Sequence, residues 1–588
     1  MTKDLLRKGV YPVRLKGLPA VFGIKAVLMI GCLALVLGAA ACQAKPNSTA
    51  VTTPTDRTTA TAVATPTGVP EWLHGAEFSL NLTVSIGFWD IASALDQADT
   101  DLVLQSIERL FNLSVVPVSV SWSNYAERYK IMAATGQLPD VFATTMVSTP
   151  SYEQWVRDGV IRAIPDDLSR FPELNSIMQL SDIVNLKIDG RFYMIPRVSF
   201  IDRDVYASDA AMLVRRDWME KLDIAIPENL TEFAEMLRRF AEDDPDGNGV
   251  DDTAGMSVNI RAALGKWVLL GVQPDCNVYG WIDYNGLFQP SYMTPLFDDV
   301  VRAFRYLYLV GALDPEFATQ QADDATEKFA RGKLGALEYK SSPGSLVILE
   351  TRWNNHQEPG TFAEKVMVLP VFPAPDGNRY HNTGRYFWSE SYFSSQVYDD
   401  KMDRLMYLYE YLMTEQGRYL LSLGVEGKDY RWTAQDDIEI MRPFDELTGR
   451  PVALKSIYPS VALFAPLARW SDDMRRGGFI PNAINNANNG EAIMQMAYDD
   501  LMWNLENTLP VDRPYDFLAL LQQDANSFPT SRVIDDMTGV ILAKGDPVEL
   551  WETIRQQYVA DGINDIIDKM NRIAARQQIL PKSAPPED

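Results

Sequence analysis

Residues 78–145 alternate between two hydrophobic periods, and this alternation restricts the fold more than any other feature of the chain. "FSLNLTVSIGFW" and "LSVVPVSVSW" read as strands, "DQADTDLVLQSIERLFN" and "SNYAERYKIMAATG" as amphipathic helices, and "DVFATT" as a short buried strand. Strands that alternate with helices pair in parallel, and the resulting sheet is covered on both faces. Ligands of such sheets lie at the carboxyl ends of the strands. Those ends fall here at Trp89 and Asp90, and at Ala143, Thr144 and Thr145. The pattern resumes after "KIDGRFYMIPRVSF". "AMLVRRDWMEKLDI" reads as a strand entering a short helix. "IPENLTEFAEMLRRFAEDD" is a helix capped by Asn229, with Glu232 at capping-box spacing. "VRAFRYLYLVGAL", "ATEKFARGKLGALEY" and "KVMVLPVFPAPDG" continue the α/β pattern, and the chain is mostly helical from Lys401 onward. A chain of 588 residues exceeds what one core serves, so two or more domains are expected. A net charge of −25 excludes nucleic acid as a partner, since phosphate binding needs a basic face.

The first residues indicate the compartment. A basic leader precedes "AVLMIGCLALVLGAAAC", an apolar run that ends in small residues, as a secretory signal does. Ala39, Ala40 and Ala41 before Cys42 resemble a bacterial lipoprotein box, in which the cysteine is lipidated (palmitate is the expected acyl chain) and becomes the new N-terminus. Ala39 stands where such boxes usually carry Leu. Residues 1–41 are therefore expected to be removed, and the mature chain is more acidic still. Residues 42–75 form a Thr/Pro-rich tether with no apolar period, so they cannot bury a core. Cys32 leaves with the signal and Cys42 carries lipid, which leaves Cys276 alone and no disulfide framework. The expected location is the outer face of a cell membrane, in a Gram-positive bacterium.

"AEDDPDGNGVDDTAG" places oxygen ligands at the spacing of a calcium loop. Asp244, Asp246 and Asn248 take positions 1, 3 and 5, Gly249 is the turn glycine, Val250 offers its carbonyl and Asp252 takes position 9. Position 12, usually a bidentate Glu, is Gly255, and the following "TAGMSVNI" leans to β structure. The expectation is a structural calcium ion at 244–252 rather than a sensor.

"ATGQLPDVFATT", "KIDGRFYMIPR", "RRDWMEKLDIAIPENLTEFAEMLRRF", "DPDGNGVDDTAG", "GALDPEFA", "FARGKLGA" and "SLGVEGKDYRW" occur in this order. Together they resemble the bacterial extracellular solute-binding proteins of family 1, in the large lipoprotein subset described as LipO-like. The resemblance covers the chain from about Phe78 onward. It implies a type II periplasmic-binding-protein-like fold, in which two α/β lobes joined by crossover hinges close on a sugar that is passed to the permease subunits of an ABC importer. It also implies that a loop similar to "DPDGNGVDD" holds calcium away from the sugar. On this reading lobe 1 begins with residues 76–195, lobe 2 spans 196–370, and 371–588 returns to lobe 1 with C-terminal helices shared between the lobes. Pro196 marks one hinge, and Pro370, Pro373 and Pro375 mark another. A monomer is expected.

Sugars offer apolar C–H faces rimmed by hydroxyls, so the ligand site should combine aromatic platforms with carboxylates, amides and Arg. Candidates at strand ends and loops are Trp89, Asp140, Thr144, Tyr193, Arg197, Trp267, Trp388, Glu390, Tyr430 and Trp432. For Asp140 a turn or cap role competes, and for each aromatic an ordinary core position. A secreted glycoside hydrolase is the rival reading, but no motif singles out its carboxylate pair. A nucleophile elbow, a zinc motif and a phosphate loop are absent from the sequence. A peptide-binding or adhesion lipoprotein is the third possibility.

Overall fold

The computed structural model describes residues 73 and 78–576, apart from 148, 150, 258–265, 277–279, 321–322, 435–437, 447–448, 470–475 and 512–529. All of these belong to the unit Pro66–Asp588. The leader, Cys42 and the tether lie outside the described residues.

Strand β1 (Leu82–Trp89) leads into helix α1 (Leu102–Phe111), whose amide at Leu104 is capped by the Asp101 carboxylate at 2.8 Å. Asn112 ends the helix in the left-handed region, at φ 46, and turns the chain into β2 (Leu113–Val120). β1 and β2 pair in parallel from Leu82↔Leu113 to Trp89↔Val120. β3 (Val141–Thr144), buried along its whole length, pairs in parallel on the other side of β1. β4 (Met194–Val198) follows after a helical excursion.

The chain then crosses to a second lobe. Its strands are β5 (Ala211–Arg215), β6 (Ala254–Ser257), the hairpin β7 (Trp281–Tyr284) and β8 (Leu287–Pro290), β9 (Leu334–Tyr339) and β10 (Val366–Leu369). Helices α2 (Leu230–Glu242), α3 (Lys266–Val272) and α4 (Pro343–Asn354) cover them. The main sheet runs β10-β5-β9-β6. The short strand β11 (Tyr380–His381) lies on the way back to β12 (Phe387–Phe393), which inserts antiparallel between β3 and β4 and completes the lobe 1 order β2-β1-β3-β12-β4.

After β12 come α5 (Asp399–Met413), α6 (Glu415–Ser422), the hairpin β13 (Tyr430–Trp432) and β14 (Ile438–Ile440), and α7 (Val461–Ala468). The buried side chains of α5, α6 and α7 join the lobe 1 core around Val84, Ile86, Phe142 and Tyr392. The chain then returns to lobe 2 through α8 (Ala483–Asn489) and α9 (Glu491–Asn507), and β15 (Leu509–Pro510) pairs with β11. Helices α10 (Thr530–Leu542), α11 (Pro547–Ala560) and α12 (Ile563–Arg576) pack their buried faces into the lobe 2 core with Trp218, Phe304 and Trp267.

The lobes are therefore joined by crossings at 199–210, at 370–386 and after α7. All three use the edge of lobe 1 where β1, β3 and β4 end and β12 begins. Pro196 lies within β4 and is buried, paired opposite Glu390, so the first crossing starts only after Val198. Proline is tolerated there because β4 is an edge strand. The crossings are tied together. The Ser199 amide donates to the Tyr386 carbonyl at 2.8 Å, and Val198 bridges to Arg469. The buried His381 ring reaches the Thr508 hydroxyl at 2.7 Å and stands 3.8 Å from Asp204.

Gly255 shows how tightly lobe 2 is packed. A Cβ at this position would lie 2.5 Å from the Leu237 carbonyl oxygen of α2 and 2.4 Å from that of Ala312. Both obstacles are backbone, so neither can swing aside. Gly255→Ala is expected to lower stability by about 2 kcal/mol, read as a lower midpoint in chemical denaturation.

Candidate functional site

The edge of lobe 1 from which the crossings leave carries a cluster of four aromatic rings. Trp89 ends β1, Trp122 follows β2 by two residues, Tyr125 opens the next helix, and Trp388 is the second residue of β12. The Trp89 centroid lies 4.9 Å from that of Trp122, 5.0 Å from Tyr125 and 5.7 Å from Trp388. Trp122 and Trp388 are 5.6 Å apart, with their planes only 31° from parallel. Trp89 is the floor, 7% exposed, whereas Trp122 and Trp388 are 51% and 47% exposed. Two large indoles half open to water at a strand-end edge form an apolar, flat surface of the kind that marks a ligand site.

Under this floor lie two buried charges. The Arg197 guanidinium stands 4.7 Å from the Phe88 ring and 4.6 Å from the Trp89 ring. Its Nε donates to the Ser389 hydroxyl at 3.0 Å, and another nitrogen donates to the Pro466 carbonyl at 3.3 Å. Burial lowers its pKa to about 9, against the pull of the Glu390 charge. Glu390 is fully buried on β12. Its carboxylate accepts from the Met146 amide at 2.9 Å, the Val147 amide at 3.4 Å and the Tyr392 hydroxyl at 2.9 Å. Burial pushes it up to about 7, although the amides, the hydroxyl and Arg197 all favour the charged form. Glu390 thus fixes the loop that leaves β3. Thr145 in that loop meets the Tyr125 hydroxyl at 3.0 Å, which ties the loop to the aromatic cluster.

Of the residues expected from sequence, Trp89, Thr144, Arg197, Trp388 and Glu390 meet at this edge, with Thr144 buried opposite Glu390 in the ladder. The others lie elsewhere. Asp140 is a brace: it accepts from the amide and hydroxyl of Ser85 at 2.8 and 2.9 Å and pairs with Lys401 at 2.9 Å. Tyr193 precedes β4, so it lies at the opposite edge of the sheet, half-buried on the lobe 1 core. Trp267, 3% exposed, packs against Phe233 and Phe372 inside lobe 2. Tyr430 is buried and Trp432 partly exposed on the β13–β14 hairpin, in a small cluster with Leu423 and Ile438. Trp122 and Tyr125 were missed, although Trp122 follows a parallel strand just as Trp89 ends one.

A groove of about 670 Å³ lies at the opposite edge, around Phe78, Leu80, Arg162 and Arg404. Its arginines are already engaged: Arg162 with Asp399 at 2.9 Å, Arg191 with Asp166 at 3.0 Å, and Arg404 with the Phe111 carbonyl at 2.6 Å. The ring cluster, with exposed apolar faces, is the better ligand surface.

The loop at 244–252 is drawn in on itself. The Gly249 amide donates to Asp244 at 3.0 Å, and the Asn248 amide nitrogen donates to Asp246 at 2.8 Å and to Asp252 at 3.2 Å. The donor set is all oxygen on one tight turn and suits a hard divalent cation in type. Lys333 pairs with Asp252 at 2.5 Å. The packing around Gly255 leaves no room for a ligand side chain at the twelfth position. Among the described residues, no group of three or more His, Cys, Asp or Glu side chains is placed to hold a metal ion.

The two α/β lobes and the crossings that join them make a periplasmic-binding-protein-like fold. The chain is similar to the polygalacturonan/rhamnogalacturonan-binding protein YtcQ of Bacillus subtilis, at 24% identity over 336 residues, covering 57% of this chain and 64% of that one. It is similar to lipoprotein LipO of the same organism at 25% identity over 335 residues, covering 55% of this chain and 64% of that one. The chain thus spans a little under two thirds of these curated relatives. Its fold matches the structure of an EF-hand mutant of the ABC-transporter substrate binding protein FusA of S. pneumoniae in complex with fructo-nystose. That match has a TM-score of 0.61 at 16% identity over 84% of this chain and 99% of that one. No protein-family model matches the chain. These relatives and this fold agree with the resemblance to the extracellular solute-binding proteins of family 1.

The raised pKa of Glu390 has a consequence for stability. The folded state holds its proton up to about 7, whereas the unfolded carboxyl, near 4.5, releases it earlier. Stability from this group is therefore complete at low pH and lost as pH rises toward 7. Relative to Glu390→Gln, the wild-type protein should lose roughly 2–3 kcal/mol between about pH 5 and about pH 8, measured as unfolding free energies of the two proteins across that range.

Proposed function

We propose that the chain is a cell-surface lipoprotein that captures an oligosaccharide between its lobes and delivers it to the permease subunits of an ABC importer. The observation that carries this reading is the pair of half-exposed indoles, Trp122 and Trp388, above the buried Trp89 at the edge where the crossings leave. Indole faces suit the C–H faces of pyranose and furanose rings, and the strand-end loops beside them supply polar groups for hydroxyls. The polygalacturonan/rhamnogalacturonan-binding protein YtcQ, and FusA in complex with fructo-nystose, support the saccharide class. The ligand acts by population shift: it contacts both lobes only when they close, so binding favours closure. No catalytic step is assigned to any residue.

In this reading Cys42 carries the lipid and the tether lets the body move over the membrane. Calcium would be held by Asp244, Asp246, Asn248, Asp252 and the Val250 carbonyl. There it would pin the end of α2 to the start of β6, and Lys333 would release Asp252.

Nystose and an oligogalacturonate are the first saccharides to test, with tryptophan fluorescence and calorimetry as readouts. One of them should bind. Trp122→Ala and Trp388→Ala should each weaken binding by about tenfold or more. A folded protein that binds neither these nor other oligosaccharides would overturn the reading, and cleavage of a probe would move it to a glycoside hydrolase. Separately, millimolar calcium should raise the melting temperature of the wild type but not of Asp246→Ala, because an ion that binds only the native state stabilises it. An unchanged melting temperature removes calcium from the account.

A further inference from the structure

His381 stands where three parts of the chain meet. It lies on β11 in the second crossing, and β11 pairs with β15 just beyond α9. The Leu509 amide donates to the Arg379 carbonyl at 2.8 Å, and the Val511 amide to the His381 carbonyl at 2.9 Å. Asp204 comes from the first crossing, whose helical turn (Arg203–Asp209) packs on α9. The His381 ring is buried between them, with its side chain 4% exposed.

The hydrogen bonds fix which ring nitrogen carries the proton. The hydroxyl of Thr508, the residue that ends α9, has one proton and donates it to the Asn504 carbonyl at 2.6 Å. Its oxygen can therefore only accept from His381 Nδ1, 2.7 Å away. The neutral ring is then the Nδ1–H tautomer, and Nε2 keeps a lone pair. Nε2 lies 3.8 Å from an Asp204 carboxylate oxygen, beyond hydrogen-bonding distance.

A second proton would make the ring a buried cation. Among the described residues two carboxylates face it. Asp204 is partly exposed and stands off. Asp500 of α9 lines the same small cavity, but it already accepts from the Ser341 hydroxyl at 2.5 Å and the Asn504 side-chain amide at 3.0 Å. α3, β5 and β10 bring only apolar side chains to that cavity, Trp267, Leu270, Ala211 and Leu369. Asp209, nearby in the first crossing, is taken by Lys266 and Lys340. Burial outweighs the pull of Asp204 and holds the His381 pKa below the ordinary imidazole value.

We propose that His381 is a proton-sensitive tie at this junction: neutral, it binds the second crossing to α9 through Thr508, and on taking up a second proton it parts from them. Proton uptake is easier where water reaches the ring, so acidification favours states in which β11 has come away from β15. Asp500 has the opposite sign. Burial raises its pKa to about 6, so what it contributes is complete at low pH and lost as pH rises. Any movement of one lobe against the other passes through the crossings, so the stiffness of this link comes to depend on pH. The inference uses no ligand and goes beyond the saccharide reading.

The test uses the full-length chain in detergent. Nitrogen-15 spectra of its three histidine rings read tautomer and titration directly, and the His381 signals are those lost in His381→Asn. The ring should be protonated at Nδ1 and bare at Nε2 at neutral pH, with a midpoint below about 6.5. A proton on Nε2 there, or a midpoint at or above that value, overturns the inference. Amide hydrogen exchange at Leu509 and Val511, corrected for its intrinsic pH dependence, reads the tie. Between about pH 7.5 and about pH 5 their protection should fall about threefold or more in the wild type relative to His381→Asn. The asparagine amide can still donate to Thr508, and Asp500 is present in both proteins, so the difference reports the imidazole. An equal loss of protection in the two overturns the tie. If His381→Asn does not fold, His74→Gln and His356→Gln assign the ring by elimination and Asp204→Asn decides. Without that carboxylate the His381 midpoint should drop and the loss of protection on acidification should grow, and no change in either overturns the inference.

Discussion

The structure depends on one strand that arrives late. β12 comes back from lobe 2 and inserts between β3 and β4, so it supplies the hydrogen bonds that join the two halves of the lobe 1 sheet. Its course then positions the ring cluster and the buried charges. Trp388 points to solvent and joins the ring cluster, while the buried Ser389 and Glu390 receive Arg197 and the loop beyond β3. Trp388 stands at the irregularity between Phe387 and Ser389 at the open end of the strand, whereas Glu390 is enclosed between Thr144 of β3 and Pro196 of β4. The aromatic platform and the internal charges therefore follow from a single pairing.

Those charges are costly to bury, and their arrangement shows what they hold. Arg197 and Glu390 are not a simple ion pair: each is committed to several neutral groups around it. Arg197 lies against the rings that form the floor of the platform, and Glu390 restrains the loop that forms its rim. A ligand resting on Trp122 and Trp388 would meet rings whose positions are set from below, so little ordering remains to be done when it binds.

Much of this was legible from the residues. The alternation of periods gave the parallel sheet, the rule that ligands sit at strand ends selected Trp89 and Thr144, and the place after the second hinge selected Trp388. Asn229 caps α2 as expected, accepting from the Glu232 amide at 3.0 Å. The same strand-end rule reaches Trp122, which closes "LSVVPVSVSW", but only the structure shows its ring beside those of Trp89 and Trp388. What could not be read was long-range. Nothing near Trp267 reveals that Phe233 and Phe372 will enclose it, and nothing near Asp140 shows that Ser85 will occupy its carboxylate. Tyr430 and Trp432 have the composition of a site yet stand on a hairpin with its own small cluster, because Leu423 and Ile438 enclose Tyr430.

The interrupted build of lobe 1 also bears on how the protein is made. β3 and β4 emerge during synthesis with the edges that will face β12 still unpaired, and β12 appears only after all four strands of the main lobe 2 sheet have been produced. Two exposed edges in a growing chain are templates for wrong pairing. Lobe 1 cannot mature as an N-terminal unit ahead of lobe 2. Its completion waits on the second crossing, so the order in which the chain is synthesised matters as much to reaching this fold as the contacts that finally hold it.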